Sequence, residues 1–565
     1  MSSYGTLAAY ERMRTRDPVD IPMIINGQEV FTGNVVELTP PHDHKNVYAR
    51  IHVADGTGLV KEAVSGALAA RAEWESMSSE ARSGIFLRAA RLLSTKYRHE
   101  VCAATMLGLS KNLFQAEIDA ACETIDFWRF NAFYANEIYS HQPAAHSPGV
   151  WNRLEHRPLE GFVAAISPFN FIAIGSNLAS APAQMGNVVV LKPALETGLA
   201  SSLMMRILQE AGLPPGVIQY VPVLDPRGDF TQDALHHPAL GGLHFTGSTN
   251  VFAQLQRDIA AGIGGNPDTD PAPGDSTGRQ PYHSFPRLVG ETGGKNYLFA
   301  HESALASEEG RRDVAAQLLR GAFEFNGQKC SATSRAYVPA SQWPALRRVL
   351  EEEVARIKVT GPSDPQSFVT AVINRPAFDR LASAIEGAKA DPEMDLVAGG
   401  ECDDRVGYFV GPTVLAVDLA SLGGGASAAG HMAALERAHA KHTVRSELFG
   451  PVITVVVYDD QHWQAVARAA ADASPYALTG AIFARDRRVL EELASTLRHA
   501  QGNLYLNDKS TGAVVGQQPF GGSRRSGTND KAGHALNLQR WVSTMAIKEN
   551  LSAPLTTWEY PYMME

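Results

Sequence analysis

From Gly161 onward the chain repeats one alternation that leaves few folds open. FVAAI at 162–166 is a short apolar run with Gly161 before it and Pro168 after it. VVVL at 188–191 ends in Lys192-Pro193, and a third run spans 217–223. A fourth at 243–245 precedes Thr246-Gly247-Ser248, and a fifth at 287–289 leads into Gly290-Glu291. Helical patterns lie between the runs. At 199–211, Leu203, Ile207, Leu208 and Ala211 share a face, Gly212 is placed to cap it, and Pro214-Pro215 stops it. Upstream, 60–74 groups Val60, Val64, Ala67, Leu68 and Trp74, and 119–132 groups Cys122, Ile125 and Trp128. Short buried strands alternating with helices form βαβ units and a mostly parallel sheet, so the predicted class is α/β. Ligands bind such sheets at the carboxyl ends of the strands. Asn170, Lys192, Ser248 and Glu291 all fall at those ends, which is the first evidence for a site.

Composition narrows the function classes. The 565 residues, 44% hydrophobic and 19% charged, suffice for two or three domains with their own cores. A net charge of −10 with no basic stretch argues against a nucleic-acid partner. The four cysteines, Cys102, Cys122, Cys330 and Cys402, form no CxxC, and no metal-ligand spacing occurs, so a reducing compartment and no metal are expected. No apolar run reaches the ~18 residues of a membrane span. Glu11, Asp17 and Asp20 argue against a signal or transit peptide, so the expected location is cytoplasmic. The Pro/Gly/Asp-rich stretch 264–284 and the Gly/Ala-rich stretch 421–434 read as mobile surface excursions.

No GxGxxG occurs, so the usual dinucleotide fingerprint is absent. A different series appears instead: SPFNF at 167–171, LKP at 191–193, FTGS at 245–248, GETGGKN at 290–296, GQKCSA at 327–332, ELFGP at 447–451 and PFGG at 519–522. Taken singly these residues are bland: a lone cysteine is usually buried packing, Asn170 a turn residue, and Glu291 and Glu123 solvated carboxylates. Taken in this order they resemble the aldehyde dehydrogenase superfamily, over nearly the whole chain. AEIDAACETIDFWRFNA, FPRLVGETGGKN and LNDKSTGAVVGQQPFGGSRRSGTNDKAG are similar, more narrowly, to the monofunctional 1-pyrroline-5-carboxylate dehydrogenases.

The resemblance implies an aldehyde dehydrogenase-like fold. It has a Rossmann-type NAD-binding domain over 1–140 and 157–290, an α/β catalytic domain over 291–510, and an oligomerisation element and tail from 141–156 and 511–565. A homodimer or larger homo-oligomer is implied, with a small-molecule substrate. The implied reaction is NAD-dependent oxidation of L-glutamate γ-semialdehyde through a cysteine thiohemiacetal and thioester. Cys330 is the implied nucleophile. Asn170, with the Cys330 N–H, stabilises the oxyanion, and Glu291 is the general base. Ser167, Phe169, Lys192, Gly247, Ser248, Glu447 and Phe449 would hold NAD. For the substrate, Ser331, Gly512 and Ala513 would anchor the α-carboxylate, Phe171 and Phe520 flank the chain, and Glu123 face the α-ammonium. Three departures stand out. Leu195 occupies the position where many relatives carry a 2′-hydroxyl-binding carboxylate, with Glu196 one residue later, which loosens the NAD preference. Ala513 replaces a serine of some relatives. The Glu291–Cys330 interval is longer, with the extra turn expected at 308–312. Two other readings stay open: a dehydrogenase of another carboxylate-bearing aldehyde such as succinate semialdehyde, and a non-catalytic protein that kept the fold.

Overall fold

The apolar runs become the middle of a parallel sheet. The structure, a computed structural model, describes residues 3–263, 281–425 and 427–559. Among them, a seven-stranded sheet has the order Arg287–Glu291, Leu240–Thr246, Phe162–Ile166, Val188–Lys192, Ile218–Tyr220, Met23–Ile25, Gln28–Val30. The first five run parallel, and the last two close with a two-residue turn. That turn, Asn26-Gly27, has φ of 53° and 77°, the left-handed pair a tight hairpin requires. FVAAI is buried along its whole length because helices cover both faces. The run at 217–223 is a strand only over Ile218–Tyr220. Register then aligns the site: Ile166 lies opposite Lys192, Phe245 opposite Ile166, and Thr246 opposite Glu291, so the motifs leave the sheet along one edge.

A second seven-stranded sheet contains Asp395–Ala398, Thr413–Asp418, Val452–Tyr458, Thr333–Pro339, Asn296–Ala300, Thr479–Phe483 and Asn503–Leu506, in that order. Alternate residues of Asn296–Ala300 enter separate apolar layers, Leu298 and Ala300 on one side and Tyr297 and Phe299 on the other. GETGGKN is the hinge of the architecture: Glu291 ends the first sheet and Asn296 begins the second. A third unit is a two-stranded antiparallel ribbon, Val150–Pro158 with Val542–Asn550. No described helix is long and apolar enough to cross a membrane.

The helices follow their caps. Gly198–Glu210 ends in a Schellman turn, with Leu213 N–H on Leu208 O (3.0 Å), Gly212 N–H on Gln209 O (2.9 Å) and Gly212 at φ 95°. The pattern at 119–132 is split. Glu117–Glu123 is π-helical and Thr124–Ser140 α-helical. The wider turn shifts the phase, so Cys122 is exposed while Ile125 and Trp128 are buried. Residues 308–312, the position given for the extra turn, form the start of the helix Glu308–Phe323, which Ser307 caps by accepting from Gly310 N at 3.1 Å. One expectation about loops is corrected. The 421–434 stretch is helical from Ala428, where Ser427 caps Ala428–Ala440 and His431, Ala434, Leu435 and Ala438 are buried. Most of the 264–284 stretch and the last residues of the tail lie outside the described residues.

Candidate active site

Cys330 follows a strained approach. Phe325 and Asn326 take φ values of 49° and 57°, a region that costs a non-glycine residue about 1–3 kcal/mol. Asn326 is held there: its amide donates to Thr370 Oγ1 (3.0 Å) and Ala371 O (2.8 Å), and its Oδ1 accepts from Thr370 N (2.6 Å). Asn296 fastens the far side, donating to the carbonyls of Cys330 (2.7 Å) and Ala332 (2.8 Å). A Cβ on Gly294 would meet the Cys330 carbonyl at 2.4 Å, so close backbone approach requires glycine there.

The thiol is partly open to a cavity of about 390 Å³. Glu291, Glu123, Phe171, Ser331, Gly512, Ala513 and Phe520 line the same cavity. Burial pushes the Cys330 thiol well up, and the Glu291 and Glu447 carboxylates push the same way. Burial also raises Glu291, against the Gly522 N–H and the Lys531 charge. Glu291 lines the cavity, and its Oε1 is buried without a hydrogen-bond partner among the described residues. Asn170 is buried and meets the cysteine loop through Gln328, donating to its carbonyl at 3.0 Å. A second N–H of that amide remains available. Ser331 Oγ is 2.7 Å from Thr511 Oγ1, and Gly512 needs its φ of 99° to turn the loop after it.

Glu123 is half-buried on the π-helical turn. Burial and the Asp119 charge push its carboxyl up to about 8, with Lys111 and Lys329 pulling down. Sequence reasoning missed this charged surround. Lys329 is buried and donates to Glu324 (3.0 Å), which also accepts from Arg320 (2.9 Å), and all three line the cavity. Position beside the motif cysteine was the one signal that could have flagged Lys329.

The residues assigned to the cofactor form an adjoining set. Gly247 N–H donates to the Glu291 carbonyl (3.1 Å), and Ser248 caps Thr249–Ala261 by accepting from Val251 N (3.3 Å). Ser167 Oγ accepts from Ala194 N (3.3 Å). Lys192 Nζ donates to Pro193 O (3.2 Å), leaving two of its three donors. Glu447 accepts from Gly294 N (2.8 Å), and burial pushes its carboxyl up to about 7. Phe169 and Phe449 meet edge-on at 5.8 Å. Leu195 packs against the core, and Glu196 supplies the negative charge near Lys192 while accepting from Asn374 (3.3 Å).

The sequence model described as "Aldehyde dehydrogenase family" matches residues 31–421 and 435–547. The chain belongs to the aldehyde dehydrogenase family. The gap in that match falls within the Gly/Ala-rich 421–434 stretch. The narrower resemblance also holds over nearly the whole chain. This aldehyde dehydrogenase is 46% identical over 548 residues to the mitochondrial delta-1-pyrroline-5-carboxylate dehydrogenase of Dictyostelium discoideum, covering 97% of this chain and 90% of the relative. It is 44% identical over 544 residues to the mitochondrial enzyme of that name from Homo sapiens, covering 96% and 89%. The crystal structure of the Mycobacterium tuberculosis delta-pyrroline-5-carboxylate dehydrogenase bound with NAD superimposes with a TM-score of 0.86 at 41% identity, covering 99% of this chain and 95% of that one.

These names correct the expected cytoplasmic location: the Dictyostelium and human relatives are both called mitochondrial. Sparse cysteines do not tell one reducing compartment from another.

Proposed function

We propose that this aldehyde dehydrogenase oxidises L-glutamate γ-semialdehyde, the open form of 1-pyrroline-5-carboxylate, to L-glutamate with NAD, in proline breakdown. The carrying observation is that Cys330, Glu291 and every substrate residue implied by the resemblance line one cavity. The names of the relatives and the NAD-bound neighbour agree with it. The donor set fits NAD. The helix Thr249–Ala261 begins directly after Gly247-Ser248, and a helix N-terminus favours a pyrophosphate. Lys192 keeps donors for a ribose, and Glu447 is a partly buried acceptor near the Phe169–Phe449 pair.

In this reading Cys330 Sγ bonds to the aldehyde carbon and its proton leaves to water. The carbonyl oxygen becomes an oxyanion facing the Asn170 amide and the Cys330 N–H. NAD, when bound, supplies the acceptor for the hydride lost from that carbon, and Cys330 then carries a thioester. Glu291 takes a proton from water as the water oxygen bonds to the thioester carbon. The C–S bond breaks, the new γ-carboxylate leaves, and Cys330 is restored. The domain division at 1–140 with 157–290, 291–510, and 141–156 with 511–565 is part of the proposal, supported by the change of sheet between Glu291 and Asn296. A homo-oligomer is supported by the exposed Trp151, Leu551 and Trp558 on or just beyond the two-stranded ribbon.

Purified enzyme is expected to show a kcat/KM for L-glutamate γ-semialdehyde about 10²-fold above that for succinate semialdehyde, because a plainer aldehyde leaves buried polar groups unpaired at ~1–3 kcal/mol each. Equal values by NADH absorbance would reduce the proposal to a general carboxy-aldehyde dehydrogenase.

Glu123 gives a pH test. With its carboxyl pushed up to about 8, the group is neutral below that pH and charged above it. An ammonium ligand binds the charged form. The inhibition constant of L-glutamate therefore falls as pH rises from about 6 toward 8, by up to about tenfold per unit. Glu123→Gln binds L-glutamate more weakly and loses this slope. A wild-type constant that is flat across the range removes Glu123 from ammonium binding.

A further inference from the structure

Beneath the cavity lies a charged pair that neither the catalytic nor the cofactor residues use. Lys111 and Asp119 are fully buried, with Nζ 2.7 Å from Oδ2. Desolvating two charges often costs more than their attraction returns, so such a pair is a poor device for stability alone. Asp119 is fully engaged: Oδ2 also accepts from Ile172 N (3.1 Å) and Oδ1 from Ala173 N (2.9 Å). Those N–H groups open the helix Ile172–Gln184, whose N-cap residue, Phe171, makes no side-chain cap bond. Asp119 caps that helix from another segment, the π-helical turn, a form that often marks functional sites.

Lys111 acts on the ring of the same residue. Its Nζ lies 3.8 Å from the Phe171 ring centroid and 4.2 Å from that of Phe325. The two rings meet edge-on at 6.2 Å. Phe325 is the first of the left-handed residues on the approach to Cys330. The ammonium thus holds the Phe171 ring, Asp119 holds the two backbone N–H groups that follow Phe171, and the ring is tied to the cysteine loop through Phe325. A desolvated cation against an aromatic face is worth more than an exposed one.

We infer that Lys111 and Asp119 are positioning residues for aldehyde oxidation. They hold the Phe171 ring as a fixed wall beside the aliphatic part of the substrate, and so favour the longer semialdehyde over short aldehydes without touching either. The inference rests on Phe171 being a substrate residue, as in the proposed function.

The test is Lys111→Met, which removes the charge at similar length and leaves Asp119 its two backbone bonds. KM for L-glutamate γ-semialdehyde is expected to rise about tenfold with kcat within about twofold. KM for propanal, too short to lie along the ring, stays within about twofold. In a Phe171→Leu background the same substitution adds no further rise. Equal losses on both aldehydes, an unchanged KM, or the same rise in both backgrounds would overturn the inference. The charge-free pair Lys111→Met/Asp119→Asn carries the same comparisons if the single variant does not fold, because it leaves no unpaired buried charge. A wild type that shows no preference for the semialdehyde over propanal defeats the functional reading. A preference that Lys111→Met leaves undiminished defeats only the positioning inference.

Discussion

Cys330→Ala is expected to lower NAD-dependent oxidation of L-glutamate γ-semialdehyde by on the order of 10⁴-fold or more, while NAD affinity by titration calorimetry stays near wild type. Of the other cysteines, Cys122 also lines the cavity, whereas Cys102 and Cys402 do not. Cys102 is buried against Ala116 O and Glu117, and Cys402 is exposed on a two-residue strand away from the cavity. Cys102→Ala and Cys402→Ala therefore keep most of the activity. The lost thiol group is small and borders the cavity, so Cys330→Ala folds normally and its defect is chemical. A variant that retained a tenth of the wild-type NADH rate would show that the thiol is not the nucleophile.

Glu291→Gln separates the two halves of the reaction. The amide keeps the shape of the carboxyl and an acceptor for the Gly522 N–H, but it cannot take a proton from water. In a rapid-mixing experiment the variant is expected to give a burst of about one NADH per active site, followed by turnover slowed by ~10²–10⁴-fold. In the wild type, burial holds Glu291 above the usual carboxylate range. The base is therefore neutral at low pH, and steady-state turnover rises with pH as it ionises. The variant's slow turnover loses that rise. Absence of the burst would place Glu291 earlier, in activation of the thiol.

Much of the first sheet was legible because parallel strands covered on both faces must be apolar throughout, and FVAAI and VVVL are. Loops were less so. Three glycines at 423–425 drew the Gly/Ala-rich stretch toward an excursion, yet Ser427 and the buried spacing of His431, Ala434, Leu435 and Ala438 make a helix. The π-helical turn was hidden as well, since a single extra residue per turn leaves no compositional mark; it appeared only as Cys122 facing away from Ile125 and Trp128.

By itself, the order of residues along the chain determined the α/β class, the motif series with Cys330, Glu291 and Glu447, and the strand ends near which Asn170, Lys192, Ser248 and Glu291 fall. These are local properties: a short apolar run, a turn, a cysteine followed by small residues. Only the tertiary structure decided which residues surround them. Lys111 lies beside Phe171 and Phe325, Ser331 meets Thr511, Asn296 fastens the Cys330 carbonyl, and Asp119 caps a helix more than fifty residues away. A buried charge or amide is tolerable only when partnered, and its partner is whatever the packed chain brings within about 3 Å. No pattern along the sequence records that choice.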